Sequence, residues 1–211
     1  MSFASSFEAS SGAVRASEGP LETQAPQGLV RAGAERREIE QFIGEVFARR
    51  FDAAVPVFMP ELVARRDALG RVVAAAGIRL ASEPLFLEQY LDEPVDRAIE
   101  RLTGRRPARA RIAEVGQLAA ARPGEGRRLI ADLAVRLAAR RIEWVVGTLT
   151  QELRHLFARM GIEPLVLERA DPARLGAAAA SWGRYYEHRP QVLAGHLPTA
   201  IARLRAARSV A

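Results

Sequence analysis

Residues 111–141 read RIAEVGQLAAARPGEGRRLIADLAVRLAARR, and the order of patterns in this stretch decides the fold. Arg111 to Leu118 reads as a strand. From Gly124 to Arg141 the apolar residues Leu129, Ile130, Leu133, Val135 and Leu137 recur at helical spacing. Gly124 and Gly126 make the turn between them, and Ile142 to Thr148 follows as another strand. Upstream, Glu61 to Arg66 and Arg71 to Leu80 flank Asp67-Ala68-Leu69-Gly70, which predicts an antiparallel hairpin. Ala34 to Asp52 carries Ile39, Phe42, Ile43, Val46 and Phe47 on one helical face, and Pro56 and Pro60 then break the pattern. Proline opens two further segments with helical spacing, Pro84 to Leu91 and Pro94 to Leu102. Downstream, Gln151 to Met160 reads as a helix ended by Gly161, and Leu165 to Glu168 as a strand. Asp171 to Ala180 reads as a helix with Asp171 as N-cap and Pro172 in its first position. Ser181 to Pro198 is an aromatic stretch punctuated by Gly and Pro, Thr199 to Arg208 a basic terminal helix, and Gly28 to Ala32 a short strand.

An early helix, an antiparallel hairpin, then strand, helix, strand and helix predict a mixed α/β (α+β) architecture, a twisted mixed sheet with helices on both faces. The element order is the one expected of GNAT-like acyltransferases. Residues 29–198 carry this domain and 199–211 a basic helix or tail. Residues 1–28, rich in Ser, Ala, Gly, Glu and Pro, read as a disordered or weakly ordered leader.

The composition excludes several chemistries. Cysteine is absent from the 211 residues, so disulfides, thiolate metal sites, iron–sulfur clusters and a cysteine nucleophile are ruled out. All 31 basic residues are arginine, against 25 acidic ones, and runs such as Ala177 to Ala180 point to a coding bias behind the formal charge of +6. The arginines are interspersed with acids, as in Ala34-Glu35-Arg36-Arg37-Glu38, which describes a solvated face and not a nucleic-acid footprint. No window approaches the twenty or so apolar residues of a membrane span, and the start lacks the features of a signal peptide, so the expected compartment is the cytoplasm. His155, His188 and His196 lack metal-ligand spacing, and no metal is expected.

Four places carry candidate chemistry. At Ala120 to Arg128, glycines and a helix N-terminus suit a phosphate or pyrophosphate, with Arg127 and Arg128 adding charge; the alternative is an ordinary Gly-Pro turn. Compared with the acyl-CoA loop of GNAT enzymes, Gly124 and Gly126 keep the glycine spacing while Ala121 replaces the leading Arg or Gln. Glu114, flanked by apolar neighbours in its strand, is expected to have a raised pKa suited to a general base, or else to pair with an arginine. Gly116, with Gln117 and Leu118, marks a bulge that exposes backbone to a thioester or pantetheine arm. In Leu85 to Pro94, Glu88 is the second candidate base, although a structural helix with an acidic stripe explains the same spacing. Trp182, Tyr185 and Tyr186 either wall an acyl pocket or close the core.

Three blocks in order, Leu85 to Asp92, Glu114 to Ala119, and Trp182-Gly183-Arg184-Tyr185-Tyr186 with Pro190 and Gly195, resemble the bacterial thermostable hemolysin family over about residues 35 to 197. The family pattern has Glu-Val-Gly-Asn-Leu-Ala where this chain has Gln117 in place of Asn. The family is grouped with GNAT-like acyltransferases, and its name records a lytic phenotype. Gly77 to Leu80 together with the Glu114 block is also similar to acyl-homoserine-lactone synthases. That likeness implies an acceptor-binding and proton-handling pair, Arg79 and Glu114. The resemblance thus implies transfer of an acyl group from acyl-CoA or acyl-phosphopantetheine on acyl carrier protein to a small amine acceptor. The competing expectation is a non-enzymatic cytolysin, for which Thr199 to Arg208 is the one candidate interfacial helix.

Overall fold

In a hairpin edge strand that is covered on both sides, polar residues must be paired or they destabilise the fold. The computed structural model, which describes residues 32–209, meets this condition at β1 (Glu61–Arg66), every residue of which is buried. On one face Glu61 pairs with Arg140 at 2.7 Å and Arg65 with Glu125 and Asp132. On the other, Arg66 holds Glu38 at 2.8 Å in α1 (Ala34–Phe51). β1 pairs antiparallel with β2 (Val72–Leu80), and Asp67 builds the expected turn by accepting the Leu69 and Arg71 amides at 3.0 Å.

Six strands form one mixed sheet in the order β1-β2-β3-β4-β6-β5, completed by β3 (Ile112–Ala120), β4 (Trp144–Leu149), β5 (Leu165–Arg169) and β6 (Gln191–His196). Only β3 and β4 are parallel. A parallel pair requires a crossover, which α3 (Glu125–Ala139) supplies. α1 and α2 (Val95–Thr103) pack on one face of the sheet. α3, α4 (Gln151–Arg159) and α5 (Leu197–Ser209) pack on the other, so both faces are covered as expected.

Three segments differ from the sequence reading. Gln191–His196 is a strand inserted between β4 and β5, where no strand was expected. Val192, Leu193 and Ala194 are buried on both faces, so the segment lacks the alternation that marks a half-buried strand. Asp171 caps as predicted, accepting the Ala173 amide at 2.9 Å. The turns that follow are nevertheless 3-10, Pro172–Trp182, interrupted at Gly176. Pro84 to Leu91 likewise contracts to a 3-10 segment, Phe86–Tyr90. The leader and the strand expected from Gly28 lie, but for Ala32, outside the described residues.

The aromatic block is fixed by its glycine. Arg184 donates its amide to the Phe51 carbonyl at 2.7 Å and Ala54 donates to Ser181 at 2.8 Å, which ties the end of α1 to this segment. Gly183 has φ 48°, and a Cβ there would lie 2.2 Å from the Asp52 carbonyl oxygen. Gly183→Ala should therefore lower unfolding stability by about 2 kcal/mol or more, read from urea denaturation. An unchanged midpoint would show that the crossing tolerates a side chain.

Candidate functional site

β3 and β4 are paired only over Ile112–Glu114 against Trp144–Val146. Beyond that point β3 bulges: Ala75 pairs with Ala119 but Gly77 with Gly116, so β3 carries one extra residue. Gln117 sits at the bulge with φ 54°, a conformation that Asn, its counterpart in the family pattern, adopts more readily. Its side chain accepts the Met59 amide at 3.1 Å and donates to the Val57 carbonyl at 2.7 Å, fixing the loop above it. At the fork, a Cβ on Gly147 would lie 2.5 Å from the Val115 carbonyl oxygen. Glycine therefore lets the two backbones approach there before they part.

The parting strands enclose a cavity of about 750 Å³, within the range of small-molecule sites. Its interior is apolar, lined by Leu118, Ile130, Leu133, Leu137, Leu153 and Leu204 among others. Four exposed arginines are among its lining residues: Arg50, Arg122, Arg127 and Arg159. Arg127 and Arg159 have no ion-pair partner among the described residues. The first turn of α3 also borders the cavity through Gly124 and Gly126, and its amides have no intrahelical acceptor. Glu125, in that same turn, pairs with Arg65 of β1 and with Arg128, so its charge is compensated.

Glu152 is the one carboxylate among the lining residues. It lies in the first turn of α4, whose N-cap Thr150 accepts the Leu153 amide. Its Oε1 is 2.6 Å from His188 Nδ1. Partial burial raises the Glu152 pKa, but the His188 hydrogen bond, the backbone amide and the Thr150 hydroxyl outweigh it and bring it down to about 2. Tyr185 donates its hydroxyl to the Thr148 carbonyl at 3.1 Å, and burial raises its pKa, so it stays a neutral donor. The Thr148 hydroxyl itself is buried without a protein partner beside this cavity.

The residues singled out in the sequence separate into two groups. Gly116, Gln117, Leu118, Gly124, Gly126, Arg127 and Tyr185 line the cavity. Arg128 does not; it pairs with Glu125 at 2.7 Å. Trp182 packs in the core with Phe47 and Tyr185, and Tyr186 shares a 2.7 Å hydroxyl contact with Tyr90. Glu114 is also outside the lining, 2% exposed, where it accepts the Phe86 and Leu87 amides at 2.9 and 3.1 Å. Burial is the main influence on it and pushes its pKa up to about 7, against those amides and Arg79. Arg79 stands opposite Glu114 in the register, donates to the Pro84 carbonyl at 3.1 Å, and keeps a buried Nε without a partner. Glu88 accepts the Leu85 and Val95 amides at 3.0 Å and pairs with Arg109 at 2.6 Å. Its burial is outweighed by Arg109 and those amides, and its pKa is lowered. Arg79, Glu88 and Glu114 thus organise the Pro84 to Val95 segment.

The sequence reading missed Glu152, His188, Arg50 and Arg159. Metal spacing was the wrong test for His188, whose partner is 36 residues away. A cap at Thr150 with an acid in the first turn was the available signal. Among the described residues, no group of His, Asp or Glu side chains could hold a metal ion, and no helix is long and apolar enough to cross a membrane.

The profile of the thermostable hemolysin family matches residues 30–201. The chain belongs to that family. Comparison with curated proteins gives no match. Among solved structures this family member is similar to TofI in an apo form, with a TM-score of 0.60 at 16% identity over 88% of this chain and 97% of that one. It is similar also to FeeM, an N-acyl amino acid synthase from uncultured soil microbes, with a TM-score of 0.58 at 12% identity over 90% and 97%. A third is BjaI, a CoA-dependent acyl-homoserine lactone synthase solved with SAM and isopentyl-CoA, with a TM-score of 0.56 at 15% identity over 82% of each chain. At these identities the likeness is one of fold.

A titration separates the structural role of Glu114 from its neighbours. Its folded pKa lies above the ordinary carboxylate value, so its contribution to stability is complete below about pH 4 and is lost as pH rises through about 7. Glu114→Gln loses an acceptor for one of the two amides and should be about 1–3 kcal/mol less stable at about pH 5. The gap to the parent protein should narrow as pH is raised to about 8, measured by denaturant unfolding across that range. A gap that widens instead would mean that Glu114 folds as a carboxylate.

Proposed function

We propose that the protein transfers an acyl group from an acyl thioester, carried on CoA or acyl carrier protein, to an amine. The observation that carries this reading is the geometry of this cavity: the α3 N-terminus with Arg122 and Arg127, strand backbone left unpaired where β3 and β4 part, and an apolar interior. Arg122, Arg127 and the α3 amides suit the phosphates. The backbone of Gly116 to Leu118, turned outward by the bulge, and the unpartnered Thr148 hydroxyl suit the amides of a pantetheine arm. Where β3 and β4 part, amides no longer committed to a ladder can hold the oxyanion of a tetrahedral intermediate. The similarity of fold to an N-acyl amino acid synthase and to a CoA-dependent acyl-homoserine lactone synthase supports the same reaction class.

On this reading Glu152, the lone carboxylate of the lining, holds the amine acceptor as an ammonium, and His188 orients it. The amine gives up a proton to this pair and attacks the thioester carbon. The C–N bond forms, the C–S bond breaks, and the thiolate takes up a proton. Glu114, Arg79 and Glu88 act from outside, by holding the segment that carries Phe86 and Tyr90 against the sheet. The reaction belongs in the cytoplasm, which supplies acyl thioesters.

Native mass spectrometry with acyl-CoA and with acylated carrier protein should show a one-to-one complex with at least one of them, and no complex with either would overturn the proposal. Arg127→Glu should weaken that complex about tenfold or more by opposing the phosphates. With an amine acceptor found by screening, Glu152→Gln should lower turnover about a hundredfold while donor binding is retained. Pure protein without donor should not release dye from liposomes. Dose-dependent leakage that is indifferent to Glu152→Gln would replace the enzyme with a membrane-active protein.

A further inference from the structure

The terminal helix α5 has an amphipathic sequence that the proposed chemistry does not use. Its apolar residues do not form an outward face: Leu197 is buried, and Ile201 and Leu204 pack against the cluster built on Leu133 and Leu137 of α3. Ala200 and Leu204 also line the cavity, where they pack with Ile130, Leu156 and Phe157 between α3 and α4. Both Gly126 and Leu137 line it too, so it follows α3 over eleven residues, about 16 Å at the helical rise. An acetyl group would leave the inner part of this apolar space empty and forfeit its contacts.

We propose that α5 is the end wall of an acyl-chain tunnel, so that the donor carries a medium or long acyl chain whose limit is set by Ala200 and Leu204. The inference rests on the acyl-thioester reading above and adds the class of acyl group. The charged lining residues are exposed and the buried lining is mainly apolar, as a hydrocarbon tail requires and as a polar acyl group does not permit. Ala200 is the small residue in the wall, and a large side chain there enters the space directly. Leu204 fills part of the same wall, and its truncation deepens the tunnel.

Calorimetric titration with butyryl-, octanoyl-, dodecanoyl- and hexadecanoyl-CoA, repeated with the same groups on acyl carrier protein, reads the tunnel directly. Affinity should rise about fourfold per added methylene up to a break, where the chain meets α5. Ala200→Trp should move the break to shorter chains, and Leu204→Ala should move it to longer ones. Circular dichroism checks the fold of each variant, and Leu204→Ala alone suffices if Ala200→Trp does not fold. Binding with no dependence on length, or a break that neither variant moves, overturns the inference and leaves the acyl-thioester reading standing. Failure to bind any of these donors removes both.

Discussion

The extra residue in β3 is the constraint on which the site depends. A parallel pair with even register would continue its ladder to the strand ends and leave no space between them. Here the ladder stops after three residues, and the bulge is held open from outside by the Gln117 side chain bridging Val57 and Met59. β4 does not lose its pairing, because β6 accepts it along its full length on the other edge. The sheet is therefore continuous on both sides of the gap. The cavity is a consequence of strand pairing and not of loose packing.

Buried charge forms the second layer of the design. The interior ionisable groups are placed where they hold backbone or a helix: Glu114 and Glu88 cap the turns between Leu85 and Val95, and the β1 residues grip α1 and α3. Removing one partner of such a pair leaves an uncompensated charge, which costs far more than the pair contributes. An arginine-only basic complement suits this use, because the guanidinium offers several donors in fixed geometry. Arg127 and Arg159 in the cavity lining lie outside these pairs and, like Arg37, Arg49 and Arg97, are exposed without an ion-pair partner among the described residues.

Both faces of the sheet are thereby packed by helices, and the gap between β3 and β4 opens into the cavity. The aromatic block joins core and cavity: Trp182 and Tyr185 pack in the core with Phe47, and Tyr185 also reaches the cavity wall, while Tyr186 turns to Tyr90. Adjacent residues serve different ends because the short 3-10 turn Tyr185–His188 rotates successive side chains by about a third of a circle.

By itself the sequence determined whatever is local. Period and punctuation made α1, the β1–β2 hairpin, β3, α3 and β4 legible, since each needs only its own apolar pattern and a turn residue such as Gly124 or Asp67. The phosphate-suited turn and the bulge at Gly116 to Leu118 were legible for the same reason. Tertiary structure decided the rest. β6 carries no alternation because both its faces are covered, so its place between β4 and β5 could not be read from its own residues. Glu114 and Glu152 are both acids beside apolar residues, and nothing in their neighbours along the chain tells which one faces the cavity. That was settled by partners far away in sequence, the Phe86 and Leu87 amides for Glu114 and His188 for Glu152. Burial and charge pairing are properties of positions in space, and only the folded chain brings those positions together.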